Sequence, residues 1–210
     1  MKLQLALDTD SLWKALYFTE KVAEYIDIIE IGTPLIYEEG MHAVRAFRKY
    51  FRNIEILADL KIMDGGSFEA AEAFEAGADY CTVLGVTDLL TAKGAVEEAN
   101  KWKRKIVMDF ICVTDMPAKI KQMEEIGAHV LAVHTGTDQQ ASGRTPLDDL
   151  KIMTANTKKS KIAVAGGISS KTIDKYVALN PDIIIVGGAL INSKDPVGEA
   201  KKIRAAMEGR

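Results

Sequence analysis

The feature that most limits this chain is an alternation. Eight short apolar runs recur along 210 residues, at 2–7, 27–31, 54–61, 79–84, 105–110, 129–134, 161–166 and 182–187, and stretches with helical spacing lie between them. "SFEAAEAFEAGA" and "MPAKIKQMEEIGA" are two such stretches, and the Gly-Ala pair closing each suits a helix C-cap that leads into the next strand. No Pro/Gly/Ser-rich linker, charge block or low-complexity tract divides the chain, so the pattern predicts one domain over residues 1–210. Eight strand–helix units predict an α/β protein, a (β/α)8 TIM barrel, with a doubly wound open sheet as the alternative. Alternation inside the strands favours the barrel. Leu3, Leu5 and Leu7 would face the helices, leaving Gln4, Ala6 and Asp8 inside; Ile56, Ala58 and Leu60 would face out, leaving Leu57, Asp59 and Lys61 inside. An open sheet covered on both faces tends instead toward near-continuous apolar strands.

A barrel of this kind carries its chemistry at the C-terminal ends of the strands. There the sequence puts Asp8, Glu30, Asp59, Lys61, Asp64, Asp109 and His134, and after the last two strands Gly166-Gly167 and Gly187-Gly188. Strand four ends in Leu84-Gly85 and offers no evident functional group. An isolated aspartate at a strand end is ordinarily a helix cap, and a lone histidine ordinarily a hydrogen-bonded structural residue. Glu30 is different, because it sits within "DIIEIG", where an unpaired buried carboxylate costs on the order of several kcal/mol. Five carboxylates, one lysine and one histidine converging on one mouth suit chemistry better than stability.

Carboxylates gathered at one site repel, so they need a cation or protons. Lys61 supplies one positive charge; a hard divalent ion, Mg²⁺ or Mn²⁺, bound through Glu30 and Asp59 would supply more. No Cys/His set has zinc spacing. Lys61 among acids should stay protonated, which suits an electrostatic stabiliser of an oxyanion and disfavours a Schiff base. "AGGISSKT" (165–172) reads as a strand, a Gly-Gly turn and a helix capped by Ser169 or Ser170, and "VGGALI" (186–191) repeats the design. Backbone N–H groups in such turns cradle phosphates, although one glycine turn alone is ordinary βα geometry. The other totals exclude more than they assert. A net charge of −3 and a pI near 5.7 leave no basic footprint for nucleic acid. No apolar run nears the roughly 20 residues of a membrane span, and the start runs straight into a strand without a secretory pattern, so the expected location is cytoplasmic. Cys81 and Cys112, both in apolar stretches, read as buried thiols.

With those residues in place, the chain resembles the orotidine-monophosphate decarboxylase superfamily, whose D-x-K-x-x-D signature is matched by Asp59, Lys61 and Asp64. The resemblance runs over the whole length and points within the superfamily to the 3-hexulose-6-phosphate synthases, through "LALDTD", "IEIGTPLI", "ADLKIMDGG", "HTGTDQQASGRTP", "VAGGI" and "VGGALI". The sister family, the 3-keto-L-gulonate-6-phosphate decarboxylases, typically carries arginines where this sequence has Thr137 and Gly188. What the resemblance implies is a lyase of the aldolase type without a Schiff base. It would condense formaldehyde reversibly with D-ribulose 5-phosphate through a metal-stabilised 1,2-enediolate, the reaction of formaldehyde fixation in the ribulose monophosphate pathway. Glu30 and Asp59 would hold the metal. Lys61 would steady the enediolate, His134 would act as acid and base, and Asp8 and Asp109 would orient hydroxyls or the lysine. Gly166, Gly167, Gly187 and Gly188 would hold the phosphate. Asp64 would enter the neighbouring subunit's site, which makes a homodimer with shared active sites. The alternatives are the sister decarboxylase, which forms the same enediolate by losing CO₂, and a non-catalytic phosphosugar-binding barrel.

Overall fold

The computed structural model describes residues 1–209; Arg210, which the single-domain reading includes, lies outside the described residues. Eight parallel strands follow the apolar runs: β1 (Lys2–Leu7), β2 (Ile28–Ile31), β3 (Glu55–Ile62), β4 (Tyr80–Leu84), β5 (Lys105–Asp109), β6 (Val130–His134), β7 (Lys161–Ala165) and β8 (Ile183–Val186). They pair in sequence order and β1 pairs with β8, so the sheet closes and the open-sheet alternative falls. Helices separate the strands, as the 3.6-residue spacing predicts. The helices Gly66–Glu75 and Met116–Glu125 end as expected: Gly77 (φ 106°) and Gly127 (φ 80°) turn left-handed, while Ala78 and Ala128 donate back to Ala73 and Met123. That is a Schellman closure, and it delivers the chain straight into β4 and β6.

Side-chain alternation sorts the core into two shells. Leu3, Leu5, Ile29, Ile31, Ile56 and Ala58 face outward into the layer beneath the helices. Ile28, Leu57, Tyr80, Val107, Val130 and Ile183 fill the barrel interior. Each such buried aliphatic contributes about 1.5–3 kcal/mol. The simple period fails at one place. Ala58 pairs with Cys81 but the next pair is Ile62 with Val83, so four steps on β3 match two on β4. Lys61 takes φ 49° inside this bulge, and it therefore reaches the interior by a backbone distortion and not by plain alternation from Asp59.

Two other expectations are corrected. Ser169 and Ser170 do not cap a helix, because the next helix begins only at Asp174. Ser170 instead binds Glu199 through both its N–H and its hydroxyl, at 2.8 Å each. Cys81 is buried, but Cys112 is exposed, at φ 62° in the loop after β5. No helix among the described residues is long and apolar enough to cross a membrane.

Candidate active site

The C-terminal ends of the strands surround a cavity of about 780 Å³. Asp8, Glu30, Asp59, Lys61, Asp109 and His134 all line it, as do Gly166, Gly167, Gly187 and Gly188. Asp64 does not. It is exposed in the loop after β3, with its carboxylate accepting from the Gly65 N–H at 2.7 Å. Four carboxylates, not five, therefore converge in one chain.

Asp59 is the hub. Its Oδ1 accepts from the Thr82 hydroxyl at 2.7 Å; its Oδ2 accepts from Thr33 Oγ1 at 2.8 Å and from Lys61 Nζ at 2.7 Å. The same ammonium lies 3.5 Å from Asp109 Oδ2. Burial alone would pull the Lys61 pKa down, but the charges of Asp59 and Asp109 outweigh it and hold the amine above its ordinary range. Asp109 is nearly enclosed, and burial pushes its carboxyl up. The hydrogen bond and charge of His134, then Lys61 and the Ile111 N–H, outweigh that and hold it low. A carboxylate held ionised only accepts, so His134 Nδ1, 2.8 Å from Asp109 Oδ2, carries its proton there and Nε2 is the basic nitrogen.

Glu30 and Asp8 are pushed the other way. Glu30 is buried, and desolvation followed by the charge of Asp59 raises its carboxyl well above the ordinary range, opposed by a 2.7 Å bond from Gln4 Nε2. Asp8 is open to solvent at the mouth yet walled on most sides, and desolvation and Asp59 again raise it. Its place is carved out by Gly32, where a Cβ would sit 2.4 Å from Asp8 Oδ1. This acid surplus fits a hard cation. Gln4 occupies Oε2 of Glu30 and leaves Oε1 uncommitted, and Asp59 has three of its roughly four acceptor positions filled. Among the described residues no group of three His, Cys, Asp or Glu side chains forms a complete cage. Such a pair of carboxylates suits Mg²⁺, which keeps waters and substrate oxygens in its shell.

The glycines form the opposite wall. Gly166 (φ 126°) and Gly167 (φ 64°) follow β7, and a Cβ at Gly166 would meet the Thr135 carbonyl at 2.8 Å. After β8, Gly187 has no positive φ; its constraint is space, with the Ala6 carbonyl 3.2 Å from any Cβ. The N–H groups of these two residues, of Gly167 and of Gly188 donate no turn, loop or cap bond within the chain. Sequence reasoning missed Thr33, Thr82 and Gln4 as partners of the acids; only Gln4's inward position was foreseeable, from β1 alternation.

The orotidine 5'-phosphate decarboxylase / HUMPS family model matches residues 1–203. A 3-hexulose-6-phosphate synthase of Staphylococcus aureus (strain MSSA476) is 46% identical over 210 residues, all of both chains. The crystal structure of 3-hexulose-6-phosphate synthase from Salmonella typhimurium is 52% identical with a TM-score of 0.98, covering 100% of this chain and 99% of the other. A 3-keto-L-gulonate-6-phosphate decarboxylase structure from Vibrio cholerae is 28% identical with a TM-score of 0.89, covering 99% and 97%.

Proposed function

The chain belongs to the orotidine 5'-phosphate decarboxylase / HUMPS family, and from that premise we propose that it is a 3-hexulose-6-phosphate synthase. It joins formaldehyde to D-ribulose 5-phosphate, reversibly, as D-arabino-hex-3-ulose 6-phosphate. The observation that carries the reading is the Lys61 ammonium fixed between Asp59 and Asp109 beside Glu30, whose Oε1 is uncommitted, on the floor of a cavity walled by glycine turns. Thr137 and Gly188, both at the cavity, favour the synthase over the decarboxylase, whose family typically has arginines there.

Glu30 and Asp59 would hold Mg²⁺ or Mn²⁺, which when bound polarises the substrate carbonyl as a Lewis acid. His134 Nε2 removes a proton from C1 of ribulose 5-phosphate. Lys61 Nζ steadies the enediolate oxygens, and its raised pKa keeps it charged throughout. C1 then bonds the formaldehyde carbon, the C=O π pair moves to oxygen, and protonated His134 returns its proton to that alkoxide. Asp109 keeps the imidazole oriented, Asp8 orients sugar hydroxyls, and Gly166, Gly167, Gly187 and Gly188 present their N–H groups to the phosphate.

The working unit is a homodimer in the cytoplasm. Asp64 does not line its own cavity. Near it in sequence Met63 is exposed in the loop after β3 and Phe68 in the first turn of the following helix, as are Val86 in the loop after β4 and Leu89 and Leu90 at the start of the next helix. Thr87 ties the two loops together, its hydroxyl donating to the Met63 carbonyl at 2.6 Å. Such a patch suits a second copy that receives Asp64. Formaldehyde consumption with ribulose 5-phosphate, with and without a chelator, tests the reaction. Efficient CO₂ release from keto-gulonate phosphate without formaldehyde consumption would support the decarboxylase instead. Mixing inactive Asp64→Asn and Lys61→Ala protomers should restore activity; no restoration removes the shared site.

A further inference from the structure

Strand β4 brings no ionisable side chain to the cavity, and its one polar group there is the buried Thr82 hydroxyl. We propose that Thr82 is the positioning residue for Lys61; this rests on the reading of Lys61 as the fixed cation. Thr82 Oγ1 meets two partners, the Lys61 backbone N–H at 2.8 Å and Asp59 Oδ1 at 2.7 Å. The N–H only donates, so the hydroxyl accepts there and gives its single proton to Asp59. One side chain thus ties the backbone of the cation to the carboxylate that the cation touches.

The tie matters because of the backbone at Lys61. A φ of 49° is left-handed, a region that a residue with a Cβ occupies only when its surroundings over-determine it. The bulge takes Lys61 out of register with β4, and its N–H reaches the Thr82 side chain. Without the hydroxyl that N–H and Asp59 Oδ1 both lose their partners in a buried setting, and nothing on β4 resists relaxation of Lys61 toward extended geometry. Relaxation carries Nζ away from Asp109 first, the longer of its two contacts at 3.5 Å against 2.7 Å. Thr33 is the contrast: its hydroxyl bonds Asp59 through both the carbonyl and Oδ2 but makes no bond to Lys61.

The test pairs kinetics with a crystal structure. In Thr82→Val, kcat for formaldehyde with ribulose 5-phosphate at saturating Mg²⁺ should fall about 10- to 100-fold with KM for the sugar phosphate little changed. Thr82→Ser should recover most of it, and Thr33→Val should lose less. The crystal structure of Thr82→Val should show Lys61 out of the left-handed region and Nζ off Asp109. If Lys61 keeps its positive φ and both contacts, or if Thr33→Val loses as much as Thr82→Val, the proposal is overturned. If the unsubstituted protein does not turn over these substrates, the proposed function falls, while the Thr82→Val structure still decides the role of Thr82. Should Thr82→Val not accumulate folded, Thr82→Ala carries the same expectations.

Discussion

At the N-terminal end of the barrel, Lys2 pairs with Glu55, Tyr80 donates to Glu55 at 3.1 Å, and Lys105 lies 5.1 Å over the Tyr80 ring. At the C-terminal end, the cavity gathers Asp8, Glu30, Asp59 and Asp109, and among the described residues lining it the basic side chains are Lys61 and His134. Strands β3 and β5 contribute inward side chains to both groups, so alternation alone does not separate them. Their accounts differ. Each charge at the bottom has a neighbour that answers it, whereas the top keeps an acid surplus that raises Glu30 and Asp8. A balanced ring closes a core; an acid surplus is what the proposed cation and substrate would offset.

The contrast breaks most visibly at Lys61. Lys61→Ala should cost about 10²–10³-fold or more in kcat, the scale of losing an oxyanion partner, while thermal unfolding stays cooperative; near-normal turnover would sink the role given to Lys61. Glu30→Gln sharpens the comparison from the other side. It should abolish Mg²⁺-dependent turnover yet stabilise the metal-free protein by about 0.5–2 kcal/mol in calorimetry, because a neutral amide replaces a carboxyl that burial disfavours when charged. A loss of stability there would show that the top, too, is balanced.

Asp109→Asn should cost about 1.5–3 kcal/mol at pH 7, the worth of hydrogen bonds to a charged group. The sign in pH follows from the depressed carboxyl. Folded Asp109 binds its proton less readily than the unfolded chain, so its contribution is complete above the ordinary value of 3.8 and fades as pH falls through the folded value beneath it. Acid titrations of the two proteins should therefore converge below that point. The smallest effect belongs to the bottom. Tyr80→Phe removes the hydroxyl between Glu55 and Lys105 and should cost about 1 kcal/mol with kcat unchanged.

Glu30, Asp59 and Lys61 were legible in the sequence because charges within apolar strands are costly and so call for a reason. Eight regular runs made the barrel legible too. Thr82 was not, because a threonine in "YCTVL" reads as an ordinary strand former whose hydroxyl leaves no trace in hydrophobic periodicity. The bulge at Lys61 was hidden for a related reason: a period of two predicts the same inward lysine with or without it. Cys112 misled because its apolar neighbours suggest a strand interior, while the chain there has already turned out into a loop. Asp64 sits at the C-terminal end, in the loop after β3, yet outside the cavity, and strand alternation stops short of it.

The pairing of β1 with β8 also sets an order of events during synthesis. Residues 2–7 leave the ribosome long before residues 183–186, and one of their edges has no partner until those follow. Asp8 and the glycine turn at Gly187, whose Cβ position lies 3.8 Å from Asp8 Oδ2, become neighbours only then. A nascent chain short of that last strand has all four acids of the cavity in hand but an open edge and a missing wall, so the mouth is completed late.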